Sequence, residues 1–420
     1  MARLLTGLSL GYFLVMLDTT IVTVALPALS PSLAAQQWIS NGYTLTFAAF
    51  LLTAGACSDR FGARRVFSLG LVSFAVLSGL SALSSTTPVL IALRALLGVA
   101  GALLVPSSLS LIAAAYPVPS ARAKAMGVWA AVSGIGLVAG PLLGGVLTEA
   151  FGWRAIFLVN VPVAAVARAL SRSAPPSPAR PGRVDVVGQT AAVVALSTLV
   201  YALIESSWAV LLVTAAATAV FVRFQRMLPA SLFRARAFPL GLLAGAIVNF
   251  GLSGVLFVLS LYFQESRGYP PSATGIAFLP LTIPTAFNPI LTGRLVARSG
   301  PRIPAVSGFA LMSGGTLLQA CTTSAALSVV ALALLGFGVS LAIPSLLAMV
   351  VAAAPPELTG VAGGALNASR QAGASLGVAV LGALLTATTT SIALCTAAGV
   401  LFAGAVAVSC SFMKQETPCR

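Results

Sequence analysis

The chain contains no histidine, eight carboxylates and five cysteines in 420 residues. Without histidine there is no imidazole acid–base catalysis, no histidine metal ligand and no histidine proton relay, so a proton carrier falls to a carboxylate. Charged residues make up 7% of the sequence, against roughly 25% in soluble domains. A surface so poor in charge cannot keep a monomer dissolved. Disorder is excluded in turn, because 58% of the residues are hydrophobic. The cysteines (Cys57, Cys321, Cys395, Cys410, Cys419) are odd in number and scattered, with no CxxC pair and no disulfide framework. A GxxxxGK[ST] phosphate loop is absent too, and little room remains for a soluble nucleotide domain, so any work must draw on a gradient.

What is present is a series of long apolar runs, broken by clusters of Arg, Pro and Gly. They predict an all-α polytopic membrane protein with fourteen spans, at 4–26, 39–57, 66–84, 89–115, 123–150, 153–171, 184–204, 207–224, 238–264, 273–297, 303–322, 325–353, 360–387 and 390–412. Asp18 inside the first span argues for a retained helix and against a cleaved signal. With the N-terminus placed in the cytoplasm, 19 of the 23 Lys and Arg fall on the inner side. Arg154 and Arg267 fall outside, and Arg94 and Arg370 lie within spans. That asymmetry satisfies the positive-inside rule and puts both termini in the cytoplasm. The net charge of +15 is then an orientation signal and needs no nucleic-acid partner. Trp38, Trp153 and Trp208 all fall at outer span ends, where an amphipathic ring prefers to sit.

The sequence repeats itself. Gly55-x4-Arg60-x-Gly62-x-Arg64 returns as Gly293-x4-Arg298-x-Gly300-x-Arg302, an offset of 238. Ala95-Leu96-Leu97-Gly98 through Pro106-Ser107 returns as Ala333-Leu334-Leu335-Gly336 through Pro344-Ser345 at the same offset. Gly127, Gly140 and Gly144 match Gly360, Gly373 and Gly377 at 233. Spans one to six thus correspond to nine to fourteen in the same orientation, with spans seven and eight inserted between them. Parallel repeats of this kind are a transporter architecture with a substrate site between the halves. The expected division is 1–172 as an N-terminal six-helix bundle, 173–237 as linker plus inserted hairpin, 238–412 as a C-terminal six-helix bundle and 413–420 as a cytoplasmic tail. The Pro-rich stretch from Ser173 to Arg183 reads as a semi-rigid connector.

Asp18 is the one carboxylate well inside a span. An ionised acid at the centre of a membrane helix costs about 2.5–3.5 kcal/mol, so such a residue faces a cavity or a partner. Arg94 is the candidate partner: Asp18 lies about 10 Å and Arg94 about 8 Å from the outer ends of their spans at 1.5 Å per residue, so their depths match. A structural salt bridge between two helices is the alternative. Gly55, Asp59, Arg60, Gly62 and Arg64 form an inner loop in which Gly62 permits a tight turn. Asp59 there can pair with an arginine or cap a neighbouring helix in one conformation, and a simple positive-inside anchor is the plainer reading. Gly136, Gly140, Gly144 and Gly145 with Pro141 make a flat strip on the fifth span, for close packing or for a hinge. Asn367, Arg370 and Gln371 share one face of the thirteenth span, where Arg370 could hold an anionic substrate group or helix-terminal carbonyls. Asn249 and Asn288, with Pro284 and Pro289, are candidates for cavity polarity and helix breaks.

At these residues the sequence resembles the major facilitator superfamily, and within it the fourteen-helix drug:proton antiporters of the methylenomycin-resistance type. Leu17-Asp18-Thr19-Thr20 through Pro27 resembles the helix-one signature, and Gly55 to Arg65 the loop between helices two and three. Arg94-x3-Gly98-x2-Gly101-Ala102 resembles the helix-four motif, with Leu97 where Gln is usual. Gly136-x3-Gly140-Pro141-x2-Gly144-Gly145 resembles the antiporter motif of helix five. Trp153-Arg154-x2-Phe157-x2-Asn160-Val161-Pro162 and Asn367-x2-Arg370-Gln371-x-Gly373 resemble further landmarks.

The resemblance implies the major facilitator fold as 6+2+6 helices and proton-coupled export of an antibiotic or drug by alternating access in the cytoplasmic membrane. Proton work would fall to Asp18 with Arg94, and gating to Gly55, Asp59, Arg60, Gly62, Arg64, Gly136, Gly140, Pro141, Gly144 and Gly145. It implies no enzymatic activity, no cofactor and no metal. The partners are a small-molecule substrate, protons and the lipid bilayer, and the chain is expected to act as a monomer. Two departures from the family pattern stand out. Ala297 occupies the place of a possible acid in the second loop motif, and no carboxylate is embedded in spans nine to fourteen. A neutral, monocationic or weakly anionic substrate is favoured accordingly. Symport of a metabolite on the same fold, or a non-transporting membrane scaffold, are the alternatives.

Overall fold

The computed structural model describes residues 2–175, 185–226 and 228–413, and among these it is all helical, without strands. Most of the proline-rich connector and the end of the tail lie outside the described residues. The chain begins with α1 (Ala2–Leu29), α2 (Leu33–Phe61), α3 (Ala63–Ala82), α4 (Thr87–Ala115) and α5 (Pro119–Phe151). A short α6 (Ala155–Leu158) runs into α7 (Asn160–Ser171), and α8 (Val186–Ile204) and α9 (Leu211–Phe224) follow. The second half comprises α10 (Ala237–Leu261), α11 (Pro271–Ala277), α12 (Leu279–Ser299), α13 (Arg302–Cys321), α14 (Ala325–Ala352), α15 (Thr359–Ala387) and α16 (Thr390–Met413). Among the described residues, ten helices are long and apolar enough to cross a membrane, or eleven if α11 and α12 are one broken span. The protein is therefore a multi-pass membrane protein.

The described residues fall into two compact units. The first holds 1–199, 209–227 and 263–276; the second holds 200–208, 228–262 and 277–420. In the first, α1 packs on α5 and α7, α2 on α4, and α3 on α4 and α7. In the second, α10 packs on α15 and α16, α12 on α14, and α13 on α14 and α16. The same partner scheme therefore appears twice, as the sequence repeat requires.

Lipid tails are as apolar as the helices, so association relies on close van der Waals packing between small residues. The repeated glycines supply it at matching places. In α5, a Cβ on Gly140 would overlap the Thr20 hydroxyl, and one on Gly144 would overlap the Ile21 carbonyl of α1. In α15, a Cβ on Gly373 or Gly377 would overlap the carbonyl of Ala246 or Phe250 of α10. Gly98 of α4 lies against the Tyr43 carbonyl of α2, and its counterpart Gly336 of α14 against the Leu281 carbonyl of α12. Gly62 and Gly300 have φ of +89° and +74°, at the α2–α3 and α12–α13 turns. This left-handed backbone explains why the loop motif keeps a glycine there in both copies.

One expectation is corrected. Pro284 and Pro289 do not break their helix, which runs through both from Leu279 to Ser299. The break falls earlier, at Phe278, two residues before Pro280 in the first turn of α12, where proline needs no amide donor. Inside α12 the hydroxyls of Thr282, Thr285 and Thr292 donate to the carbonyls of Phe278, Thr282 and Asn288.

The packing generates a direct stability test. Gly144→Ala and Gly373→Ala should each destabilise the detergent-purified protein by about 1–3 kcal/mol through overpacking. Gly127→Ala, on the same helix as Gly144 but with nothing within 4 Å of a new Cβ, should leave the thermal midpoint unchanged or raised. Equal effects at Gly144 and Gly127 would refute the packing account.

Candidate functional site

Five helices of the first unit converge on one buried polar cluster. Asp18 of α1 is fully buried, and Arg94 of α4 is 1% exposed. Arg94 Nη1 donates to Asp18 Oδ2 in a salt bridge. Arg94 Nε donates to the Ile39 carbonyl of α2 at 3.2 Å, and the guanidinium carbon lies 4.6 Å from the centre of the Tyr43 ring. The Tyr43 hydroxyl donates to the Val15 carbonyl of α1 at 3.4 Å. On the other side of the acid, Asn160 Nδ2 of α7 donates to Asp18 Oδ1 at 3.1 Å and to Ser78 Oγ of α3 at 3.0 Å.

The local sequence makes room for this cluster. Gly42 lets α2 approach α4 beside Arg94, where an added Cβ would meet the Ile91 carbonyl at 3.1 Å. A Cβ on Gly101 would sit 2.9 Å from the Tyr43 hydroxyl. Thr46 of α2 donates to the Ala95 carbonyl at 2.7 Å and ties the same two helices together. A bare ion buried this deeply costs several kcal/mol, and an ion pair offsets that cost only when further bonds satisfy it. Here both carboxylate oxygens accept a bond, and the guanidinium has a salt bridge, a carbonyl and an aromatic face. At offset 238 the places of Asp18, Arg94 and Tyr43 are taken by Leu256, Leu332 and Leu281, all buried in the second unit. The same helical scheme is thus built once around charge and once around leucine.

The depth argument brought Asp18 and Arg94 together from sequence. Tyr43, Ser78 and the bonding of Asn160 were missed. Asn160 carried a signal, as part of the motif that starts at Trp153, whereas Tyr43 and Ser78 had none.

The gating candidates divide. Gly136, Gly140 and Gly144 face α1, while Gly145 faces the Pro271 carbonyl at the start of α11. The Pro141 carbonyl in turn faces Gly275, so these two backbones interlock within the first unit. Nearby, Glu149 accepts from the Ser272 amide at 3.1 Å, and Gln264 donates to the Val24 carbonyl at 2.9 Å. At the turn between α2 and α3, Gly62 caps α2, its amide donating to the Ser58 carbonyl at 3.1 Å. Arg60 lies over the Phe61 ring, and Arg64 donates to the Arg172 carbonyl at 2.9 Å beside a cavity of about 140 Å³ that Arg168 also lines. Asp59 is exposed and forms no salt bridge among the described residues. Gly55 has only an ordinary contact with Pro106.

In the second unit, Arg370 Nε donates to Asn249 Oδ1 at 3.2 Å and Nη1 to Asn367 Oδ1 at 3.1 Å, so three candidates from α10 and α15 meet. Gln371 is buried on the same helix. Asn288 lies apart from them, donating to Ser340 Oγ of α14 at 2.6 Å. Among the described residues, no cluster of three His, Cys, Asp or Glu is placed to hold a metal.

The comparisons with known proteins follow this geometry. The family model described as Major Facilitator Superfamily matches residues 8–378 and again 241–418. The Methylenomycin A resistance protein of Bacillus subtilis is 36% identical over 406 residues, covering 90% of this chain and 86% of that protein. The Multidrug resistance protein Stp of Mycobacterium tuberculosis is 35% identical over 405 residues, covering 91% and 75%. Among solved structures, a POT family transporter in complex with a thioalcohol-conjugated peptide superimposes with a TM-score of 0.77 at 13% identity, covering 98% of this chain and 96% of that one. A family model spanning most of the chain, relatives over a third identical along nine tenths of it, and the shared helical fold lead to one conclusion: the chain belongs to the Major Facilitator Superfamily.

Proposed function

We propose that the protein is a proton-coupled antiporter that exports a small organic compound, an antibiotic or drug, across the cytoplasmic membrane by alternating access. Its place in the superfamily and the names of its relatives, resistance proteins in two bacteria, support export by a transporter that is not an enzyme. The observation that carries the proton coupling is the fully buried Asp18–Arg94 pair in one repeat, set against leucines in the other. A fold that closes equally well around Leu256 and Leu332 does not need the charges for packing. Buried pairs are poor stabilisers in themselves, which favours a role in transport.

In this reading, ionised Asp18 is paired with Arg94 while substrate enters from the cytoplasm or the inner leaflet. A proton arriving from outside neutralises the acid, weakens the pair and biases the return. The glycine strip of α5 and the inner turn from Gly55 to Arg64 act at the gates. Asn249, Asn367, Arg370 and Gln371 contribute polarity to the substrate cavity, with Asn288 as a further member. A neutral, monocationic or weakly anionic compound suits a chain with so few embedded acids. Fourteen spans complete the reading, as six (1–172), an inserted pair (173–237) and six (238–412), with both termini in the cytoplasm and the chain acting as a monomer. It is supported by helices over each expected span, including the shorter Ala155–Ser171 and Trp208–Phe224 and the polar-lined Leu33–Phe61.

Two measurements test it. In vesicles given a pH jump and a panel of antibiotics and dyes, Asp18→Asn should insert normally and lose gradient-driven efflux at least tenfold. Efflux at the wild-type rate would reduce Asp18 to a structural residue. The double variant Asp18→Leu/Arg94→Leu, copying the second repeat, should be as heat-stable as wild type yet inactive. Asp18→Leu alone should lose about 3–5 kcal/mol, because Arg94 is left buried without its carboxylate. A double variant no more stable than that single one would show that the pair is structural.

A further inference from the structure

The two oxygens of the Asp18 carboxylate face different chemistry. Oδ2 faces the Arg94 guanidinium, which only donates, so a proton on that oxygen would point at a cation. Oδ1 faces the Asn160 amide at 3.1 Å. An amide presents either a donor or an acceptor, depending on which way it is turned. The proton's place is therefore Oδ1, and the group that must accommodate it is Asn160.

The surroundings of Asn160 bear this out. Its side chain is fully buried, as are those of Asp18 and Ser78. Both hydrogens of Nδ2 are used, one on Asp18 and one on Ser78 at 3.0 Å. Its Oδ1, in contrast, is buried without a hydrogen-bond partner. A buried amide oxygen left unbonded is a cost that calls for an explanation. While Asp18 is ionised no other orientation is open, because turning the amide would set its oxygen against the carboxylate. Once Asp18 Oδ1 carries a proton, the present orientation sets donor against donor. Turning the amide half a revolution then lets its oxygen accept from the Asp18 hydroxyl and from the Ser78 hydroxyl, which can donate as well as accept. Each orientation leaves one end of the amide unbonded, so neither is locked in place.

We infer that Asn160 is a positioning residue for proton exchange: its amide holds Asp18 ionised in one orientation and turns to hold it protonated in the other. This rests on the proposed proton coupling at Asp18. The charged and titratable groups around the acid are few. Arg94 faces it from α4 and Tyr43 from α2; α3 and α7 reach it with Ser78 and Asn160, and their arginines (Arg64, Arg65 and Arg168) lie at the other ends of those helices. The charged residues of α5 (Arg122, Lys124, Glu149) lie toward its two ends. Arg94 does not have to follow the proton, because the Ile39 carbonyl and the Tyr43 ring hold it independently.

The test is the pH dependence of efflux from vesicles holding the full chain, for wild type, Asp18→Asn, Asn160→Leu and Ser78→Ala. Asn160→Leu removes the bond to the ionised acid and the bond to the protonated one, and the first is the stronger because its acceptor is charged. The loss therefore falls more heavily on the ionised form, and the efflux profile should move to higher pH by about one unit. Ser78→Ala should move it the same way by less, because the amide loses its brace but keeps its bond to Asp18. A purely structural role for Asn160 would lower the amount of folded protein and leave the profile where it was. An unshifted profile in folded Asn160→Leu overturns the inference. Should that variant fail to fold, Ser78→Ala decides: a shift supports the inference and an unmoved profile overturns it. Efflux by Asp18→Asn at the wild-type rate would instead defeat the underlying proton-coupling reading.

Discussion

The structure of the first repeat turns on how a carboxylate and a guanidinium are kept far from water. Either ion alone would be costly in the core, and together they are tolerated only because every face is occupied. Arg94 is spread over an acid, a carbonyl and a ring, and Asp18 is held between Arg94 and Asn160. That demand fixes the neighbours. Gly42, Gly98 and Gly101 must be small so that α2 and α4 can close around the arginine, and α3 and α7 must each bring a polar side chain to the same depth.

The second repeat shows the architecture without that demand. Its helices keep the same partners, and the glycines keep the same close approaches, Gly373 and Gly377 against α10 as Gly140 and Gly144 against α1. The polar centre, however, is replaced by leucine. Duplication thus separates two roles that a single bundle would merge. Glycine spacing carries the packing in both copies, and the ionisable chemistry is concentrated in one. The polar group of the second copy, Arg370 with Asn249 and Asn367, joins α10 to α15 and uses amides where the first uses an acid.

Much of this was legible in the sequence because lipid imposes simple rules. The apolar runs and the offset of 238 follow from hydropathy and spacing, and the meeting of Asp18 with Arg94 follows from counting residues along their spans. Contacts that depend on tertiary approach were not legible. Tyr43 is one aromatic among many until Arg94 is seen over its ring. Ser78 is an unremarked serine until Asn160 reaches it from α7. The interlock of Gly145 with Pro271 joins residues more than a hundred positions apart, beyond the reach of any local pattern. The break in the tenth expected span was misplaced for a different reason. Proline does not by itself end a membrane helix, and α12 runs through both Pro284 and Pro289.

The anchoring of Arg94 by Ile39 and Tyr43 has an electrical consequence. With Asp18 ionised, the core of the first repeat is neutral overall. In the proposed cycle the Ile39 carbonyl and the Tyr43 ring keep the guanidinium in place, so adding a proton would leave one full positive charge inside the low-dielectric core. The transmembrane voltage then exerts a force on the loaded form and none on the net charge of the empty one, about 2.3 kcal/mol for each 100 mV that the charge crosses. In the proposed cycle, interior-negative polarisation would pull the protonated cluster toward the cytoplasm, so the electrical potential and the acidity difference would act on the same residue in the same direction.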